Sequence, residues 1–516
     1  MIEPTIDTRV RGPNSIPTAT RVRYGALVGA TVTGLGVWVG ESGGSGPRLW
    51  LGVSLVVGLI LSSVAGLLVR RRSWRRAGVG VVLLALFATG HVRSDDEWQA
   101  VTAVQFGPYE GEAIVQLDPR PQGRGIKAVL EISGERFDVW GFGPMRSRLS
   151  RHQAGEVIMV KGVRRALESD SARRRHIRHV VGRFDIEEMM SAPSGSLSRA
   201  SPLVLAAHRV RDALARGALP LSRNDSALFA GLVYGDDTDQ PPEMIDRFRR
   251  SGLAHLTAVS GQNVAYILTM SAPVLTRLRR STRWVLTMVI LAWFVILTRQ
   301  EASVIRASMM AAVGATVFAA GRQATGGQIL GLAATVTLLV DPFLAWSVGW
   351  WLSMTGSGGL IFLTPVIVRA FNLVNSASEV SSSGGRRGPR EGSSGWISTW
   401  IGPMLAAQIG VLPVSVLVFG VPSAWAIPCN LLAVPVAGVV MLLGMPAALI
   451  SGFLPMPLAH VMMWPLGAGV RWVDTVAALG ARLRLPTLIN QIVAGVLVSL
   501  VLVAMWYHRR ERHVTT

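Results

Sequence analysis

The stretch Ser251-Gly-Leu-Ala-His-Leu-Thr-Ala-Val-Ser-Gly-Gln-Asn-Val264 sets an imidazole, a hydroxyl and two amides among apolar residues. A helix starting at Ser251 as N-cap places His255, Gln262 and Tyr266 within about 40° of one another, with Asn263 and Ser260 progressively round from that face. Polar side chains inside a membrane are costly and normally face a protein interior or a wet cavity. This face therefore either lines a hydrated path or ties neighbouring helices together. The Ser260-Gly261 pair can also break the helix and expose backbone groups to a cavity. Arg306 opens another apolar run, where its planar, permanently charged fork suits a phosphate; an ion pair with Glu301, or snorkelling, is the alternative. Gln408 and Asn430 are lone amides in apolar segments and are counted with the path, although such amides more often bind helix to helix. Ser260 and His460 supply a second chemistry, intramembrane acyl transfer, if they meet within about 3 Å.

A different set lies between Arg93 and Ala200. Trp98, Phe106, Tyr109, Phe137, Trp140 and Phe142 are interleaved with basic residues, and Lys161 to Arg183 holds eight basic and two acidic side chains. Lys161, Arg164, Arg165, Arg173, Arg174 and Arg175 can follow phosphates, while an exposed aromatic such as Trp140 can stack on a base. Most of the aromatics are needed for the core of so small a domain. The basic run can equally be a solvated face or meet anionic lipid headgroups. His176 and His179 have no carboxylate or thiol at metal spacing, so no metal site is expected there.

These residues need a scaffold, and composition defines it. Half of the 516 residues are hydrophobic and the mean hydropathy is +0.40. Residues 49–69, 342–368, 392–470 and 485–507 contain no Asp, Glu, Lys or Arg, lengths suited to membrane spans. Cys429 is the only cysteine, which excludes disulfide frameworks and Cys-based metal sites. The net charge of +20 is concentrated in clusters at Arg70–Arg76, Arg277–Arg283, Arg386–Arg390 and Arg509–Arg512, each flanking apolar spans as cytoplasmic loops do. Candidate spans lie near 24–40, 48–69, 77–92, 253–275, 284–298, 303–321, 325–340, 343–368, 397–420, 425–450, 456–478 and 486–507, with 456–478 alternatively along the interface. The expected fold is a polytopic helical membrane protein of about 10–12 transmembrane helices with both termini cytoplasmic. Short β-rich segments at Trp98–Phe106, Glu112–Leu117, Lys127–Ile132, Arg136–Trp140, Glu156–Val163 and His176–Phe184 predict an extracytoplasmic OB-like barrel. The domains expected are N-terminal spans to residue 92, the barrel over 93–200, an interfacial connector over 201–252 and a helical core over 253–516. A Ser/Gly/Arg-rich cytoplasmic loop is expected between Asn375 and Ser394.

Gly231-Leu-Val-Tyr-Gly-Asp236, Phe248-Arg-Arg-Ser-Gly-Leu-Ala-His255 and Val259-Ser-Gly261 resemble the core signature of the ComEC competence family. Val304-Ile-Arg-Ala307, Asp341-Pro342, Trp350 to Ser353 and Ile427-Pro-Cys-Asn-Leu-Leu-Ala-Val-Pro435 follow in the family's order. The resemblance implies a channel that carries single-stranded DNA across the bacterial inner membrane, with Ser353 added to the path residues. It also implies an external DNA receptor and a cytoplasmic motor ATPase as partners, since the chain has no phosphate-loop motif of its own. Gln262-Asn263 stands where family members commonly carry a histidine. No His-x-His-x-Asp-His pattern occurs, so the metallo-β-lactamase-like domain of many members, a nuclease activity and any cofactor are not expected. The other functions considered are an intramembrane serine protease using Ser260 and a small-solute or lipid transporter.

Overall fold

The computed structural model describes residues 25–41, 73–102, 106–190, 202–257, 261–299, 302–371 and 394–483, with 486, 488–493, 495, 496 and 499. Two apolar helices come first, α1 (Gly25–Glu41) and α2 (Ser73–Thr102), packed along each other through Val32, Leu83 and Phe87. The strand expected at Trp98–Phe106 is corrected: α2 continues to Thr102 and carries Trp98. Arg93 to Glu97 (3.4 Å) and Gln99 to Asp95 (2.8 Å) are i,i+4 pairs that support this polar extension.

Five strands then close a barrel. β1 (Gly107–Gln122), β2 (Gly125–Ile132) and β3 (Glu135–Gly141) form a meander; α3 (Pro144–Leu149) leads to β4 (Val157–Arg165), and α4 (Ser169–His176) to β5 (Val180–Met190). The order β1-β2-β3-β5-β4, with β3 and β5 parallel and every other pair antiparallel, is that of an OB-type barrel. Alternation produces it: Ile126, Ala128, Leu130 and Ile132 turn inward to meet Val115, Phe137, Val139, Ile158, Val160 and Phe184. The last strand starts at Val180 rather than His176, because His176 closes α4 and His179 turns the chain with φ +58°.

The helical core follows with α5 (Pro202–Gly217), α6 (Arg223–Tyr234), α7 (Pro242–Arg250), α8 (Ala254–Thr257), α9 (Gly261–Leu275), α10 (Arg280–Leu297), α11 (Ala302–Ala319) and α12 (Gly326–Val340). A 3-10 turn, Pro342–Trp346, precedes α13 (Val348–Phe362), and α14 (Ser394–Phe419), α15 (Ala426–Ser451) and α16 (Met456–Arg482) complete the core. Among the described residues, α10, α14 and α15 are each long and apolar enough to cross a membrane, and α13 forms a fourth by running through a 44° bend into Thr364–Phe371. Helices α1, α11 and α12 are apolar but shorter. The span expected from residue 343 therefore starts at Val348. The candidate at 48–69, most of that at 486–507 and nearly all of the Ser/Gly/Arg-rich loop lie outside the described residues.

Ser251 is not the N-cap of a long helix. It is the C-cap of α7, after which Gly252 takes φ +76° and Leu253 N–H bonds back to Phe248 C=O at 2.8 Å. His255 thus stands on α8, apart from Gln262 and Tyr266 on α9. Small residues set the tightest helix contacts: a Cβ on Gly359 of α13 would collide with the Ala406 carbonyl of α14. Taken together, the chain is a helical membrane protein carrying a closed five-stranded barrel.

Candidate nucleic-acid interface and membrane path

On the barrel, Trp140 at the end of β3 stacks with exposed Phe142, their ring centroids 6.3 Å apart and planes within 8°. Lys127 lies opposite Trp140 in the β2–β3 register and holds its ammonium 5.8 Å from the ring centroid. The same ammonium pairs at 2.9 Å with Asp138, a carboxylate only 1% exposed, and Arg175 of α4 reaches Asp138 at 2.9 Å as well. Charge and aromatic platform are thereby fixed to each other, a combination suited to base stacking beside a phosphate chain.

The other basic candidates divide by partner. Lys161 pairs with its cross-strand neighbour Glu110 at 3.0 Å, and the hydrogen bond and charge of Glu110 raise its pKa. Arg165 shares Asp185 with Arg183, at 2.9 and 2.6 Å. Arg164 lies 5.3 Å from the centre of the Tyr109 ring. Arg173 and Arg174 are exposed on α4, whereas Arg175 is turned inward to Asp138. His176 packs edge-on against Trp98, and burial lowers its pKa; His179 pairs instead with Asp341 at 3.3 Å. Among the described residues, no three His, Cys, Asp or Glu side chains are grouped as a metal site.

The barrel joins the core at two places that sequence reasoning missed. At one, Phe343 of the 3-10 turn is fully buried in the same apolar cluster as the barrel interior, against Trp98 and His179. At the other, Asp118 of β1 pairs with Arg299 at 2.5 Å and faces Arg211 of α5 at 3.6 Å. Arg299, which follows α10 in a left-handed conformation (φ +58°), also grips Asp236 with two hydrogen bonds of 3.1 and 2.9 Å. Arg211 in turn meets His208 at 2.9 Å, and His208 meets the Ala154 carbonyl at 3.0 Å. Burial alone would raise the Asp236 carboxyl, but Arg299 and the Thr238 hydroxyl and amide outweigh it and hold it below its ordinary range. The signal available in the sequence was Asp236 itself, a charge ending the Gly231–Asp236 motif; nothing in spacing tied it to Asp118 or Arg299.

In the core, His255 is exposed on α8. Exposed Gln262 donates to the Tyr266 hydroxyl at 2.6 Å. Asn263 is buried and donates to the Leu232 carbonyl of α6 at 3.0 Å, closing the end of that helix. Arg306 is 6% exposed, and its guanidinium lies against Gly349 in the first turn of α13. Ser353 is half-buried on α13, Gln408 lines a small cavity with Asn490, and Asn430 donates to Ala426 of its own helix at 2.7 Å. Ser260 and Glu301 lie outside the described residues. His460 is exposed and its Nδ1 bonds the Met456 carbonyl at 2.9 Å. The structure thus brings Gln262 to Tyr266 and Asn263 to α6, and leaves Gln408 and Asn430 on other helices.

The family model described as "Competence protein" matches residues 232–510, just over half of the chain. Two curated relatives align with parts of it. ComE operon protein 3 of Bacillus subtilis (strain 168) is 26% identical over 220 residues, 42% of this chain and 25% of the relative. The uncharacterized protein YcaI of Escherichia coli (strain K12) is 27% identical over 146 residues, 27% of this chain and 19% of the relative. The matched region spans a quarter or less of these relatives' length. No solved structure matches. With the Gly231–Asp236 motif at the barrel junction and the match running from there through the helical core, the chain belongs to the Competence protein family.

Proposed function

We propose that this protein takes part in DNA uptake by carrying single-stranded DNA across the bacterial inner membrane, as a channel rather than an enzyme. The observation that carries the reading is the Trp140–Phe142 platform, charged by Lys127, on a barrel docked to a competence-family core. Stacking is indifferent to sequence, because every base has a π face, and it requires unpaired bases. In this reading the barrel lies outside the cell, both termini lie inside, and the basic clusters between spans remain cytoplasmic. Exposed Arg173 and Arg174 would guide phosphates toward the core. There His255, Gln262 and Arg306 would border the wet path, with Ser260 and Ser353 beside it, while Asn263, Gln408 and Asn430 hold its walls. An external DNA receptor would deliver the strand, and a cytoplasmic motor ATPase would draw it in.

The test is internalisation of labelled DNA in deletion cells complemented with Trp140→Ala or Arg306→Ala, normalised to folded protein in the membrane. Both variants should fall well below wild type per folded molecule, and Arg306→Lys should recover only part of the loss because the planar fork is gone. Normal uptake in both alanine variants overturns the proposal.

A further inference from the structure

An apolar groove of about 460 Å³ runs between α9, α10 and α15, lined by Ile267, Met270, Val274, Leu286, Ile290 and Leu449. That volume lies within the range of about 300–1,000 Å³ that small-molecule sites occupy. Met270 and Val274 are exposed along it, so it opens on the outer face of the bundle. One end meets the turn between α9 and α10, where Arg277, Arg279, Arg280 and Arg283 are gathered within seven residues. Arg277 follows α9 by two residues in the turn, and Arg283 begins the stripe of α10 that continues as Leu286 and Ile290.

Four arginines at this position lack their ordinary compensation. No Asp or Glu occurs between Asp246 and Glu301, and among the described residues none of the four makes an ion pair. Arg279 is the N-cap residue of α10, and Arg280 and Arg283 lie in its first turn, which has no side-chain cap and no acidic residue. The helix dipole is positive there, so the arrangement is unfavourable without an anion. Arg280 and Arg283 are nevertheless held, with their guanidinium carbons 5.7 and 4.9 Å from the centre of the Phe318 ring. Trp284, partly exposed beside them, donates to the Thr316 hydroxyl at 2.9 Å, which fits an aromatic anchor at headgroup level.

We propose that the groove and this turn together hold one anionic glycerophospholipid, with an acyl chain along the groove and its phosphodiester on the arginines. An apolar slot continuous with an uncompensated basic turn matches that amphiphile, whereas a DNA strand has nothing to place in the slot. A headgroup with net negative charge is preferred over a zwitterionic one, whose ammonium cancels the phosphate.

The test uses the purified full chain in nanodiscs and in mild detergent, comparing phosphatidylglycerol with phosphatidylcholine by native mass spectrometry and thermal unfolding. Phosphatidylglycerol should be retained and raise Tm with saturation, and phosphatidylcholine should not. Each arginine near a headgroup contributes about a fivefold factor, so Arg277→Gln with Arg279→Gln should lower the preference about 25-fold. Ser271→Phe, which fills the groove from α9, should reduce retention with the arginines intact. Gel filtration checks that each variant is folded, and Arg277→Lys, which keeps the charge, should retain the lipid. Equal retention of the two lipids by wild type, or unchanged retention in both variants, overturns the proposal. Equal stabilisation by inorganic phosphate would also overturn it by assigning the turn to a soluble anion, and displacement of the lipid by a single-stranded oligonucleotide would overturn it in favour of DNA.

Discussion

Replacing Arg299 by Ala removes the guanidinium that Asp118 of the barrel and Asp236 of the core share. The three side chains are 16%, 11% and 24% exposed, so this pair belongs with buried rather than surface ion pairs. Breaking such a pair by deleting one partner costs about 3–5 kcal/mol, since the remaining charge stays desolvated. Asp236 keeps its hydrogen bonds to Thr238 and Asp118 keeps the Ala154 amide at 2.6 Å, which points to the lower end, about 3 kcal/mol. Alanine retains the left-handed backbone at this position and relieves nothing. The docked state should therefore lose roughly a hundredfold in population relative to an undocked one. A distance between spin labels on the barrel and on α5 reads this loss, whereas the bond from the Ala154 amide to Asp118 lies within the barrel and survives undocking. A double-mutant cycle with Asp118→Ala should give a coupling of about 1–3 kcal/mol. A coupling below about 0.5 kcal/mol with the label distance unchanged would refute the interpretation of Arg299 as the link between barrel and core.

The same junction carries a pH signature: the Asp236 carboxyl is held below its ordinary value of 3.8, so its contribution is full at neutral pH and is lost as pH falls through the lowered value. The docked population should then begin to fall only below pH 3.8, and Asp236→Asn should abolish that dependence while weakening docking at neutral pH toward the level that wild type reaches in acid. Trp140→Ala should weaken binding of a single-stranded oligonucleotide to the full chain by about 1–3 kcal/mol, read by fluorescence anisotropy, and Trp140→Phe should retain most of it. Gly359→Leu should lower membrane abundance, because the new side chain meets the Ala406 backbone rather than a movable side chain; normal abundance would disprove that close approach. In intact cells a cysteine at exposed Ser133 should react with an impermeant maleimide and one at exposed Ser281 should be protected, Cys429 being buried. The reverse pattern inverts the proposed orientation.

The barrel was legible because alternation is local: Ile126, Ala128, Leu130 and Ile132 show the period of two within one short strand, with Lys127 and Glu131 between them. Trp98 misleads because an aromatic in a polar stretch suits a strand as well as a helix, and the i,i+4 pairs that extend α2 are weak signals individually. Ser251 has the chemistry of an N-cap, and only the left-handed Gly252 after it reveals a helix end instead. Of the polar residues in the core, Gln262 and Asn263 were visible as costly amides, but which of them would be buried depended on where the end of α6 arrives. The ionic junction was illegible for a similar reason. Asp118, Arg211, Asp236 and Arg299 each read as an ordinary surface charge until folding brings together positions separated by up to 181 residues of chain.

Phe343 also governs when the barrel can be finished. It fills the barrel's apolar cluster but lies 153 residues beyond Met190, where the last strand ends. At about 5–20 residues per second a ribosome needs roughly 8–30 s to cover that distance. Throughout that interval the barrel has an apolar face against Trp98 with no Phe343 to cover it. The order of biogenesis is therefore barrel first but incomplete, then the helices that deliver its last core residue, and an isolated 93–200 fragment would be fixed permanently in the unfinished state.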